Sequence, residues 1–183
     1  MNLDEMVDDY LRRFADDLDR EIHFFESLLS LTEAIKRAAM AETSFGKRSS
    51  HQPAYRFSNE ELDLSKRYLL ETEEEIRTCK NFEELRRVVG EAICRVYKNA
   101  VLYVYDTAWK IGANLKLEPD VVYLHAGTRE GAKGLGLDFR RETIDPQELP
   151  TTLQRLRPIH VENFLCIYHK ILLGGKNLPV RKC

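Results

Sequence analysis

Apolar residues in the first part of the chain recur at steps of three and four: Val7, Leu11, Phe14, Leu18, Ile22, Phe25 and Leu29. Such spacing lays a continuous stripe along one side of a helix, and it predicts one long amphipathic helix over residues 3–40. Aspartates and glutamates crowd its first half, where the positive end of the helix dipole favours them. The stripe is expected to pack within the chain. A partner surface is its other use, because Phe14, Phe24 and Phe25 are large anchors of the kind interfaces favour.

Residues 41–57 read AETSFGKRSSHQPAYRF, and Gly46, paired serines and Pro53 break any period there. This loop is longer than most connections in compact domains, which points to function or mobility. Beyond it, Ser58 with Glu61 and Asn81 with Glu84 have the spacing of capping boxes. The helices they open carry Leu62, Leu69 and Ile76, then Leu85, Val88, Val89, Ala92, Ile93 and Val96. A further helix runs from about Leu102 to Leu117 and stops before Pro119.

Residues 121–125, VVYLH, are locally strand-like. No partner strand is evident, so they read as an extended or early-helical segment. Thr128 is expected to cap a short helix to Lys133. Asp145-Pro146-Gln147-Glu148 places a cap, a first-turn proline and a reciprocal glutamate in register. The last helix follows Pro158, buries Val161, Phe164, Leu165, Tyr168, Ile171 and Leu172, and ends at Gly174-Gly175. The expected fold is all-α: a compact bundle of about six or seven helices in a single domain over residues 1–183.

Composition agrees with a globular chain. Of 183 residues, 43% are hydrophobic and 32% charged, enough to bury a core and avoid wholesale disorder. No apolar run approaches the ~20 residues that span a membrane, and the first residues are acidic rather than signal-like. A cytoplasmic protein without membrane contact is expected. Four scattered cysteines, at 79, 94, 166 and 183, have neither metal-ligand nor secretory spacing. They read as reduced thiols, with Cys94 and Cys166 in the core. No histidine pair has zinc spacing, so neither a metal nor a cofactor is expected.

The formal net charge of −2 hides a polarity along the chain. Residues 1–35 carry three arginines against ten acids, whereas residues 36–56 carry five bases against Glu42 alone. Either the surfaces are electrostatically sorted, or the acidic first helix pairs with the rest.

Three groups of residues carry candidate chemistry. In the basic loop, Lys47, Arg48, His51 and Arg56 with Tyr55 suit phosphate contacts and base stacking; a solvated loop paired with the acidic helix is the alternative. Gly127, Thr128, Arg129 and Lys133 stand at a helix start, where free amides favour anions. Close packing that needs small residues explains the same glycines. His125 is the candidate general acid or base, since its unperturbed pKa lies near neutrality. Asp106 is placed to orient it, with Tyr105 nearby in sequence; a buried structural imidazole is the alternative.

The stretch 101–137 combines a helix containing Thr107-Ala108, a break at Pro119, Val122 with His125, and Leu135-Gly136-Leu137. This order resembles the middle of the helix-hairpin-helix DNA glycosylase superfamily. The hairpin glycines of that family would fall within Lys98–Leu102, which contains none, and its catalytic aspartate on Tyr123 or Leu124. The resemblance therefore implies a related helical scaffold without glycosylase chemistry.

Taken together, the leading expectation is a helical module associated with DNA or RNA through the basic loop. A protein-interaction or regulatory subunit, using the first helix, is the alternative. A third reading is an enzyme centred on His125, which requires Tyr105, Asp106, His125 and Arg129 to converge.

Overall fold

The computed structural model describes residues 1–48 and 56–174. It is all-α, as expected, with one short antiparallel strand pair among the described residues. The chain divides into two compact units, Met1–Leu18 with Pro119–Cys183, and Asp19–Glu118.

The chain is helical from its start through α1 (Leu3–Tyr10), a π-helical turn (Leu11–Ala15) and α2 (Asp16–Glu26). Asn2 and Glu5 cap α1 reciprocally. The single helix expected over residues 3–40 is not formed. It stops at Glu26, and Leu29, expected in the apolar stripe, is 104% exposed. The reason is local: Ser30 is extended and its hydroxyl accepts from the Glu33 N–H, opening a separate helix α3 (Leu31–Ala39). A serine three residues before a glutamate competes with helix continuation at that point.

In the first unit, β1 (Val122–Tyr123) pairs with β2 (Thr143–Ile144), Val122 opposite Ile144. The VVYLH segment thus has the partner its sequence did not reveal. Two residues of β2 are too few for an alternating pattern to show. Helices α8 (Ala126–Gly134) and α9 (Pro158–Leu172) complete the unit. Val7, Tyr10 and Phe14 of the N-terminal segment pack into its core with Val122, Leu124, Ile144, Phe164, Leu165 and Tyr168.

The glycines of α8 have a packing role. A Cβ on Gly131 would stand 2.4 Å from the Leu165 carbonyl oxygen, one on Gly134 2.5 Å from the Leu172 carbonyl carbon, and one on Gly127 3.0 Å from Cys166 Sγ. All three face α9: its backbone stands nearest at Gly131 and Gly134, and the Cys166 side chain at Gly127.

The second unit contains α3, α4 (Asn59–Glu71), α5 (Glu73–Thr78), α6 (Phe82–Cys94) and α7 (Val101–Leu115). The capping box of α4 forms in both directions, Ser58 with Glu61, and Asn81 caps α6. Helix α7 is flanked by α3 and α6 and buries nearly every residue from Tyr103 to Ala113. Phe25 meets Trp109 and Phe82 meets Tyr105 edge-on, and Leu62, Leu69, Ile76 and Leu85 are buried in the same unit. Cys94, expected in the core, is exposed at the last position of α6. It lies one residue past Ile93, the end of the buried stripe. Cys166 is disulfide-bonded, against the expectation of thiols throughout.

Helix α7 ends with Lys116 in the left-handed region, φ 59°, while the Lys116 and Leu117 amides close back on Ala113 and Gly112. Glycine is the residue this position favours. Lys116 is exposed, so Lys116→Gly is expected to raise stability by about 1 kcal/mol, read as a higher urea midpoint at unchanged slope.

Candidate functional site

The residues 41–48 form an ordered hairpin rather than a featureless loop. At its base, α3 ends in a Schellman arrangement: the Ala41 N–H donates to Ala38 O at 2.9 Å and the Glu42 N–H to Arg37 O at 3.0 Å. Ala41 takes the left-handed conformation, φ 52°, that this turn demands. Glu42 then bridges to Arg48, and the Thr43 N–H donates to Lys47 O at 3.0 Å. Gly46 supplies the positive φ, +67°, at the tip.

Beneath this hairpin lies a polar anchor. Both the amide and the hydroxyl of Ser44 donate to the Glu21 carboxylate of α2, the amide at 2.9 Å and the hydroxyl at 2.5 Å. Arg37 holds the Glu42 carboxylate at 3.1 Å. Lys110, only 1% exposed, donates from Nζ to the Glu42 carbonyl at 2.9 Å. Its ammonium also stands 5.3 Å from the ring centre of Phe25 and 5.6 Å from that of Trp109.

Burial pushes Lys110 down to about 8, despite Asp106, Glu21 and Glu42, which favour its charged form. Desolvation pushes Asp106, one helical turn earlier on α7, up to about 6, with Lys110 and Trp109 opposing. The carboxylate and ammonium therefore support each other in a setting that disfavours both charges.

The other end of the loop is fixed as well. Arg48 donates to Phe57 O at 2.7 Å and to Asn59 Oδ1 at 3.3 Å. Phe57 stacks on Tyr97 with ring centres 3.9 Å apart. What these anchors hold out in solvent is Phe45, 71% exposed, with Lys47 exposed two residues on.

Lys47 and Arg56 are exposed, whereas Arg48 is half-buried and ties the loop to the start of α4. His51 and Tyr55 lie outside the described residues. Tyr105 is 2% exposed and meets Phe82 edge-on, a packing role. The Asp106 interactions, with Lys110 and Trp109, lie on its own helix.

In the first unit, His125 is 6% exposed, with Nε2 3.6 Å from Glu162 Oε1. It, rather than Thr128, is the N-cap of α8. Thr128 occupies the third helical position, accepts from the His125 N–H at 2.6 Å and is fully buried. The Thr128 and Arg129 amides both donate to the His125 carbonyl. The Arg129 guanidinium donates to the Phe139 and Arg141 carbonyls at 2.8 and 3.0 Å. Lys133 is exposed, 5.6 Å from the Phe139 ring centre. Gly127 faces Cys166.

A second polar network in this unit joins Tyr10 Oη to His160 Nδ1 at 2.9 Å, and Arg157 to His160 Nε2 at 3.1 Å. Tyr168 Oη donates to Asp9 at 2.7 Å. Burial acts to raise the Asp9 pKa, yet hydrogen bonds from Tyr168, Arg12 and Arg13 bring it below the usual value. Phe14 and Phe25 are buried, and Phe24 is half-buried beneath Arg37 at 5.6 Å. The large rings of the first helix are thus engaged within the chain.

Sequence reasoning missed Phe45, Glu21 and Lys110. A lysine inside the apolar run Ala108-Trp109-Lys110-Ile111 was the available signal for the last, and a phenylalanine beside Gly46 for the first. Among the described residues no group of acidic, histidine or cysteine side chains could hold a metal ion, and no helix is long and apolar enough to cross a membrane. No family model, characterised protein or solved structure matches the chain.

Proposed function

We propose that this chain is a nucleic-acid-associated helical module that engages single strands at the Thr43–Lys47 hairpin. Phe45 is the stacking surface and Lys47 the phosphate contact. One observation carries the reading: a chain with a large buried core leaves one phenylalanine in water at the tip of a hairpin fixed by Glu21, Arg37 and Lys110. A pre-ordered aromatic beside a free-standing cation is the pairing that single-strand binders use. Ordering the tip beforehand also removes part of the entropy cost of binding.

The resemblance to the glycosylase superfamily adds only a scaffold to this reading. Tyr123 and Leu124, where the family's catalytic aspartate would fall, are core residues, so the proposal includes no base excision.

The test is fluorescence anisotropy with a labelled single-stranded oligonucleotide. Phe45→Ala should weaken binding by about tenfold or more, the scale of one lost base stack. Lys47→Gln should reduce the salt slope by about 0.7, the value of one single-strand phosphate contact. A protein partner is the second reading, favoured by Leu29, fully exposed in the turn between α2 and α3. Absence of oligonucleotide binding at low salt puts that reading first.

A further inference from the structure

The hairpin carrying Phe45 rests on an ionisable side chain that has no bulk solvent around it. Lys110 is 1% exposed and its Nζ meets the carbonyl of Glu42, which pairs with Arg48 at the hairpin base, at 2.9 Å. A lysine at this place in a helix core is an unfavourable choice unless the charge does something there. A methionine or leucine would fill the space between Phe25 and Trp109 without desolvating an ammonium.

We propose that Lys110 is the positioning residue for the hairpin, and that presentation of Phe45 follows its proton: the ammonium holds the Glu42 carbonyl by a charge-assisted bond, and the neutral amine, a weaker donor, loosens it. The inference rests on the proposed function for its consequence in binding, but the latch itself is a property of the fold.

The charges acting on Lys110 come from three elements. Asp106 lies on its own helix, Glu21 on α2, and Glu42 follows α3. Arg37 of α3 reaches the same place through the Glu42 carboxylate. From α6, Phe82 and Leu85 come against Gly112 of α7, and Gly90 lies against Val104. Glu21 is doubly placed, since it also accepts from the Ser44 amide and hydroxyl. Loss of the ammonium therefore removes the positive charge that Glu21 and Glu42 favour, as well as a charge-assisted bond to the Glu42 carbonyl. Burial brings the Lys110 transition to about 8, close enough to neutrality for the latch to respond in a mildly alkaline solution.

The test has two arms on the full chain. In the first, NMR follows the Lys110 Cε shift, the Glu42 carbonyl carbon and the Thr43 and Gly46 amides from pH 6.5 to 10. The expected result is one shared midpoint well below the ordinary lysine range. Asp106→Asn should move that midpoint lower, because the carboxylate that favours the ammonium is gone. In the second arm, affinity for a labelled deoxyadenosine oligonucleotide, whose bases do not titrate in this range, should fall about tenfold across the same midpoint. Lys110→Met should make affinity independent of pH there.

Hairpin shifts that ignore the Lys110 titration, or an Asp106→Asn midpoint that stays in place, overturn the latch. Shared titration without oligonucleotide binding at any pH overturns the proposed function and supports the latch. Binding that titrates equally in Lys110→Met overturns the latch and leaves the function standing.

Discussion

Lys110→Met is expected to destabilise the protein by about 3 kcal/mol at neutral pH, the scale of breaking a buried pair from one side. The loss has two parts. Asp106 and Glu21 lose their buried cation, and the Glu42 carbonyl loses its donor. The double variant Asp106→Leu with Lys110→Met should recover most of this, because replacing both partners removes the desolvation cost as well as the attraction. Urea unfolding of the single and double variants reads both values.

The same pair leaves a signature in the pH dependence of stability. Folding lowers Lys110 to about 8, so between there and the ordinary lysine value near ~10.4 the unfolded chain binds a proton that the folded chain does not. Stability from this group therefore rises with pH across that window. Asp106 is raised to about 6, so from about pH 4 to that point the folded chain holds the extra proton, and stability falls as pH rises. Between the two transitions both groups are charged, and the pair lowers stability most. The rise on the alkaline side should be absent from Lys110→Met.

The second large effect lies in the other unit. Gly131→Ala is expected to lower stability by about 3 kcal/mol, although alanine on an exposed helix face gains about 1 kcal/mol over glycine. The new Cβ would lie 2.4 Å from the Leu165 carbonyl oxygen and 3.0 Å from its Cα. The obstruction is backbone, which has no rotamer to escape into, so α8 and α9 have to separate and open their shared core. Gly136→Ala serves as the contrast. Nothing stands within 4 Å of its added Cβ, and its only penalty is the positive φ of 74°. A Gly131→Ala loss no larger than that of Gly136→Ala would remove the packing account of α8.

How far the sequence reveals this structure depends on how local each determinant is. Ser58 with Glu61 and Asp145 with Glu148 announce their helical turns because a cap is a contact across three residues, and both form reciprocally. The end of α2 is missed because Leu29 continues the apolar spacing by coincidence, and Ser30 alone redirects the chain. A similar short-range device divides α4 from α5, where the Thr72 hydroxyl donates to the Tyr68 and Leu69 carbonyls. The β1–β2 pair joins segments some twenty residues apart, with no periodicity in the second. At the candidate site, the loop itself is legible from Gly46 and its bases. Its anchor is not, because Glu21, Lys110 and Glu42 meet only when α7 is enclosed by its neighbours. The glycines of α8 are legible as glycines, yet only the position of α9 explains them.

The most direct test of the hairpin as a single-strand binding tip is an NMR titration of isotopically labelled protein with a short single-stranded oligonucleotide at low salt. The predicted result is a set of saturating amide shifts centred on Thr43–Arg48, with the Phe45 ring protons moving upfield as a base stacks on them. Shifts centred instead on α8 or on the acidic face of α1, with Thr43–Arg48 unmoved, would contradict the account.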